Sequence, residues 1–260
     1  MELHIFNGDC AFDAWRKANG SGPALVWREN YLEGRIPGPD TGTAEFARIR
    51  AEELHAMMPE LAEDRLLASL NTMDRTLAGL AAGDTAYLWF DACMYDQMML
   101  ARILFLLADS PAALDLICED IAWGDHPELF AKLQSSGRRL DRDDRALYAA
   151  AWRAFADGAE AIRALLPEPG IARFPFLAKA LTRRLEDFLG ADGLGRSERQ
   201  LLAVIDAGNR TGSEIFRAFN KLEEHPFMGD TTCWRLLDKL AAKGRLVIDH
   251  IGKQNTYSLK

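Results

Sequence analysis

The stretch from Ala86 to Leu107, AYLWFDACMYDQMMLARILFLL, constrains most strongly what this chain can fold into. Ala86 to Phe90 reads as a buried strand that ends on Asp91, and an apolar helix begins almost at once, near Met94. In open α/β sheets, ligands bind where strands end and the following helices begin. Asp91, Tyr95, Asp96 and Gln97 fall at that kind of junction. Asp96 shares a helical stripe with Leu100, Ile103 and Leu107, so the stripe that enters the core begins with a carboxylate at the helix amino terminus. Exposed amide groups and the helix dipole favour its charge there. The plain alternative is a helix cap followed by a first-turn acid.

Other segments repeat the pattern. Leu3 to Asn7 reads as a strand, turned by Gly8-Asp9 into a helix over about Cys10 to Ala18. Ala24 to Trp27 reads as a second strand ending in Arg28 and Glu29, and Leu114 to Cys118 as a fourth. Amphipathic helices are expected over Ala44 to Met58 and Glu60 to Ala81. Strands alternating with helices predict a parallel, right-handed, Rossmann-like α/β sheet over residues 1–125. The first turn has one glycine where the dinucleotide fingerprint has three, which argues against that class. Asn30 to Gly42 is rich in glycine and proline and predicts an irregular loop over the carboxyl edge of the sheet.

Residues 126–195 read as a helical connector, with a long helix over Ala146 to Leu166, another over Phe176 to Leu189, and a glycine-rich linker, Gly190 to Gly195. In residues 196–260, Ser197-x-x-Gln200 and Thr211-x-x-Glu214 have the form of capping boxes. Asp230 is placed to cap a third helix that buries Trp234, Leu237 and Leu240. Arg245 to Ile251, a turn at Gly252 to Asn255, and Thr256 to Leu259 then predict a hairpin. Three helices and a hairpin in that order predict a winged helix.

Apolar runs are short, Ile103 to Ala108 among them, so no membrane span is expected. The start, MELHIFNGD, lacks a basic n-region, and a cytosolic location is expected. The scattered cysteines, Cys10, Cys93, Cys118 and Cys233, form no CxxC or Cys/His pair, so reduced, partly buried thiols are expected. Net charge is −8, yet from Arg196 onward 11 Lys and Arg stand against 8 Asp and Glu. That asymmetry suggests two functional halves.

The segments LHIFNGD, VWRENYLEGRIP, LWFDACMYDQ, LICED, PFLAKALTRRLEDF, GLGRSERQLL and HPFMGDTTCWRLLDKLA resemble a family of uncharacterised bacterial proteins. Its amino-terminal part is domain of unknown function 1835 and its carboxyl-terminal part is domain of unknown function 3658. The resemblance implies no activity. It points to Asn7, Gly8 and Asp9, to Trp27, Arg28, Glu29, Glu33 and Gly34, and to Tyr95, Asp96 and Gln97. Where the family reads Glu-His-Asp after the third strand, this chain has Asp91, Ala92 and Cys93, a departure that favours binding over chemistry.

Three strand ends thus carry polar groups: Asn7 with Asp9, Arg28 with Glu29, and Asp91 with Asp96 and Gln97. The leading expectation is a site for a small polar or phosphorylated ligand, with no cofactor readable, and a winged helix used for contact with a partner or a second copy of the chain. Converging carboxylates holding magnesium beside an Arg28 phosphate clamp would instead make a metal-dependent phosphoryl hydrolase or nuclease. A DNA-binding regulator is the other alternative. Thr232, Arg235, Lys239, Lys243 and Lys253 offer few phosphate contacts, and Asp238 interrupts them, so nucleic acid is not favoured. Phe216, Phe219, Phe227 and Met228 are expected at a protein interface. No GxSxG elbow and no P-loop occurs.

Overall fold

A computed structural model describes residues 1–188, 190–251 and 254–260. The chain divides into two units, Met1–Leu181 and Thr182–Lys260. The first contains β1 (Glu2–Phe6), α1 (Asp9–Lys17), β2 (Ala24–Val26), α2 (Thr43–Met57), α3 (Glu63–Ala78), β3 (Thr85–Asp91), α4 (Met94–Leu106), β4 (Ala113–Glu119), α5 (Leu129–Gln134), β5 (Arg138–Arg139), α6 (Arg142–Asp157) and α7 (Ala159–Leu165). The division falls within α8 (Pro175–Glu186).

The five strands form one sheet in the order β2-β1-β3-β4-β5. The first four are parallel, and β5 runs antiparallel to β4 through two residue pairs. This is a mixed α/β unit with a mostly parallel sheet. The chain leaves β1 toward one edge to make β2, and leaves β3 toward the other edge to make β4. Right-handed crossovers therefore put α1 and α4 on opposite faces, and the sheet's crevice opens where they diverge, between the carboxyl ends of β1 and β3.

Parallel strands covered on both faces are apolar on both, which is why AYLWF reads as an unbroken run and LHIF is broken only by the buried His4. On the α1 face, Phe6, Trp15, Trp89, Trp123 and Phe130 pack together. Their polar edges are satisfied: Trp89 Nε1 donates to His4 Nδ1 at 3.1 Å, and Trp123 Nε1 donates to the Phe90 carbonyl at 2.9 Å. On the α4 face, Leu88 and Phe90 are wholly buried, as are Leu100 and Ile103 of the Asp96 stripe.

The irregular segment after β2 winds around one guanidinium. Arg50, on α2, is fully buried, and its donors reach both Glu29 carboxylate oxygens (2.7 and 3.1 Å) and the carbonyls of Asn30, Glu33 and Arg35 (2.9–3.0 Å). All five N–H groups of the guanidinium are used.

In the second unit, α9 (Arg196–Asp206), α10 (Gly212–Asn220) and α11 (Asp230–Ala242) precede the antiparallel pair β6 (Leu246–Ile251) and β7 (Gln254–Leu259). The Thr211 box is formed: its hydroxyl accepts from Glu214 N–H, and Glu214 accepts from Thr211 N–H. Arg183 is the buried centre of this unit. It bonds both oxygens of Glu223 (2.7 and 2.9 Å) and lies 3.8 Å over the Phe227 ring.

Several expectations are corrected. The helix over Ala146 to Leu166 is two helices, because Gly158 takes φ 104, a conformation that side chains oppose. Ser197 is not a cap. Its hydroxyl donates to Asp187 and accepts from Arg183, while Glu198 reaches back to Gly195 N–H. Gly229, not Asp230, precedes α11. Trp234 is 40% exposed rather than buried, and the buried face carries Cys233, Leu237 and Leu240. Phe219, Phe227 and Met228 are buried within the chain, so they offer nothing to a second copy. Leu189 and the hairpin turn at Gly252 and Lys253 lie outside the described residues. Among the described residues, no helix is long and apolar enough to cross a membrane.

Removing one partner of a buried ion pair leaves the other charged and unpaired. Arg50→Met is therefore expected to lower stability by about 3–5 kcal/mol, with the Glu29→Gln/Arg50→Met double variant recovering part of the loss. Urea denaturation of the three proteins measures both effects, and near-neutral behaviour of Arg50→Met is the contrary outcome.

Candidate functional site

The carboxyl end of β1 turns through Asn7 and Gly8 into α1. Gly8 has φ 154 and ψ 178, a conformation almost confined to glycine, and nothing lies within 4 Å of where a Cβ would stand. Asp9 opens α1 and receives a two-pronged bond from Arg28, which follows β2: Nη2 at 2.6 Å and Nε at 3.0 Å. The Arg28 hydrogen bond holds the Asp9 carboxyl below its usual range. Both side chains are more than half exposed, so the pair contributes only about 0–1 kcal/mol, and a competing anion can take the fork at little cost.

Across the divergence, β3 ends on Asp91. One oxygen of Asp96 accepts from Asp91 N–H at 2.8 Å and also from the side-chain amide of Asn7. A single buried carboxylate oxygen thus ties the ends of β1 and β3. Cys93 caps α4, its sulfur accepting from Asp96 N–H at 3.4 Å, and Cys93 N–H donates to Asp91 Oδ1 at 2.8 Å. Gln97 Nε2 donates to the Asp91 carbonyl at 2.6 Å and to the Cys118 sulfur of β4 at 3.3 Å. Gln97 Oε1 is buried and has no partner among the described residues.

The electrostatics oppose charge at this junction. Burial, reinforced by the Asp91 carboxylate, pushes the Asp96 pKa well above the carboxylate range. Burial also raises the Cys93 and Cys118 thiols, so the amino terminus of α4 does not activate Cys93. Tyr95 is raised by burial first, with Asp96, Glu29 and Glu33 adding to the effect. Asp91, Cys93 and Asp96 each offer a ligand atom, all within 4.8 Å of one another, the one such cluster of three found among the described residues.

Of the residues singled out in the sequence, Asn7, Asp91, Asp96 and Gln97 are joined directly, with Gly8 beside them. Asp9 and Arg28 form their own exposed pair. Glu29 is taken up by Arg50, and Glu33 by Asn30, whose Nδ2 donates to it at 2.8 Å. Trp27 is buried with its Nε1 on the Tyr31 hydroxyl at 3.3 Å. Sequence reasoning missed Arg50, Cys93 as a cap and Cys118 as a contact. Arg50 was detectable: it lies on the buried stripe Phe46, Ala47, Ala51, Leu54 of α2, where a lone arginine calls for an acid.

No family model matches this chain, and no curated protein matches it.

An acid whose folded pKa is raised binds protons more tightly when folded, so its contribution to stability falls as pH rises from the unfolded value near 3.9 through the folded one. Asp96→Asn retains an oxygen for Asn7 and Asp91 N–H and removes the group that burial and the Asp91 carboxylate keep from ionising. It is expected to stabilise the protein by about 0.5–2 kcal/mol near neutral pH and by nothing near pH 4. Denaturation midpoints at the two pH values read this, and destabilisation at neutral pH would refute it.

Proposed function

We propose that the first unit is a Rossmann-like domain that binds a small polar or phosphorylated ligand at the carboxyl ends of β1 and β3, and that the second is a winged helix used for protein contact. Asp96 is the observation that carries the reading. A carboxylate buried at the sheet's point of divergence, against its own ionisation, costs stability, and such groups concentrate at functional sites. The unpartnered Gln97 oxygen beside it adds a second cost that packing does not require. Arg28 supplies the positive fork for a phosphate or carboxylate on the exposed side.

A divalent cation is the second reading, favoured by the Asp91, Cys93 and Asp96 cluster. A cation there would offset the repulsion between the two carboxylates, and a phosphate could complete its shell. Because binding must displace the Asp96 proton, affinity should rise with pH. Millimolar manganese or magnesium is then expected to raise the melting temperature by mass action, more at pH 8 than at pH 6, and Asp96→Asn should abolish the increment. No cation-dependent shift would eliminate the metal reading and leave an organic ligand standing.

Contact with DNA is disfavoured by the face that α11 presents. Thr232 is buried, Asp238 is exposed, and Lys243 is engaged by Glu198 at 2.5 Å. Exposed Trp234, Val247 and Leu259 instead suit an apolar partner. Binding to random duplex DNA is therefore expected to be weaker than micromolar at 150 mM salt. A salt titration checks this, and tight binding with a steep salt slope would reverse it.

A further inference from the structure

A cleft of about 220 Å³ lies on the first unit, along the side of β4 away from β3. It exists because β5 pairs only with Asp115 and Leu116, so on this side β4 runs on through Ile117, Cys118 and Glu119 without a neighbouring strand, β3 pairing with them on the other. Arg138 of β5, Tyr148 of α6, and Arg173 and Phe174 before α8 line the other side.

Three features make this more than a gap in the sheet. Arg138 Nη2 bonds both oxygens of the buried Asp144 at 3.0 Å, and Arg173 Nη1 approaches the same carboxylate at 2.8 Å. Two guanidinium groups therefore share one buried negative charge. The further acid near Arg173, Asp141, is 3.9 Å away and largely exposed, so water screens it. Nε of Arg138 and Nε and Nη2 of Arg173 keep no partner among the described residues, while both side chains are about 40% exposed.

The second feature is Tyr148, 1% exposed, with no hydrogen bond to its hydroxyl among the described residues. Burial keeps that phenol protonated, a donor available at the wall of the cleft. The third is the aromatic wall: Tyr148 meets Phe174 edge to face at 4.8 Å, and Arg138 lies 4.2 Å over the same Phe174 ring. Glu119, on the opposite rim, is exposed and can accept from a donor.

We propose that this cleft binds a small flat organic anion, an aromatic carboxylate being the nearest chemistry, with its carboxylate on Arg138 and Arg173 and its ring against Phe174. The Tyr148 hydroxyl supplies one directed bond to an acceptor on the ligand. The volume falls below the ~300–1,000 Å³ of pockets for drug-sized molecules, which suits a single ring. The site does not rest on the reading of the β1/β3 junction, although Cys118 lines the cleft and touches Gln97.

The test uses the intact protein and calorimetric titration with 4-hydroxybenzoate, beside inorganic phosphate as the anion without a ring and benzyl alcohol as the ring without an anion. Saturable binding of 4-hydroxybenzoate alone is expected. Tyr148→Phe and Arg173→Gln should each weaken it about tenfold, and Asp96→Asn should leave it unchanged. Arg173→Gln disturbs Asp144, so Tyr148→Phe, which keeps the packing, is the deciding variant. No saturable response up to about 10 mM, where even a Kd near 1 mM would show, overturns the site. So does equal binding by Tyr148→Phe, or binding of phosphate as tight as that of the ring acid. Loss of binding in Asp96→Asn alone would move the ligand to the junction.

Discussion

The buried pair of Glu29 and Arg50 sets the geometry around the strand ends. Neither side chain has any solvent access, and dehydrating two charges costs several kcal/mol per ion unless every donor and acceptor is met. Here the guanidinium meets that condition by drawing three backbone carbonyls of residues 30–35 onto itself. A lysine, with three donors and no planar fork, could not hold the same loop. Because the loop is fixed from Glu29 onward, Arg28 is left at the end of β2 facing out, and its contact with Asp9 follows. The irregular loop that glycine and proline predict is thus tied to α2 over residues 29–35.

The junction of β1 and β3 is built differently. Its groups share a few hydrogen bonds with one another, and two features are unfavourable: a carboxylate buried beside another carboxylate and an amide oxygen without a donor. Where every Arg50 donor is met, Gln97 keeps an oxygen without a donor and Asp96 is buried against its ionisation. That contrast within one unit separates residues that secure the fold from residues that keep capacity for something else.

The strands and helices of the first unit were legible because period and composition agree: buried parallel strands are continuously apolar, and helices between them are amphipathic. Asp91, Asp96 and Gln97 were legible because a strand running straight into a helix fixes where its end residues lie. Glu29 was misleading. At a strand end it resembles a ligand, and its partner stands 21 residues later in a helix, a pairing that local pattern does not reveal. Trp234 misled in the opposite way. Its spacing suits the buried stripe, but Cys233 takes that place, and Trp234 instead lies over Gly212, where a Cβ would come within 2.9 Å of its ring nitrogen.

The division of labour along the sheet follows from how little of β4 is covered. A full antiparallel fifth strand would satisfy the edge and close the cleft beside it, whereas two residue pairs stop at Leu116 and leave the last turn of the strand to side chains. Those side chains come from Arg138, Tyr148 and Arg173, in a stretch where the sequence shows only helical periodicity. Their convergence depends on Asp144, which caps α6 through its box with Asp141 and at the same time neutralises the arginines. A single buried carboxylate therefore both starts a helix and sets the charge of a cleft, a double role that could be read only after α6 had been placed beside β5.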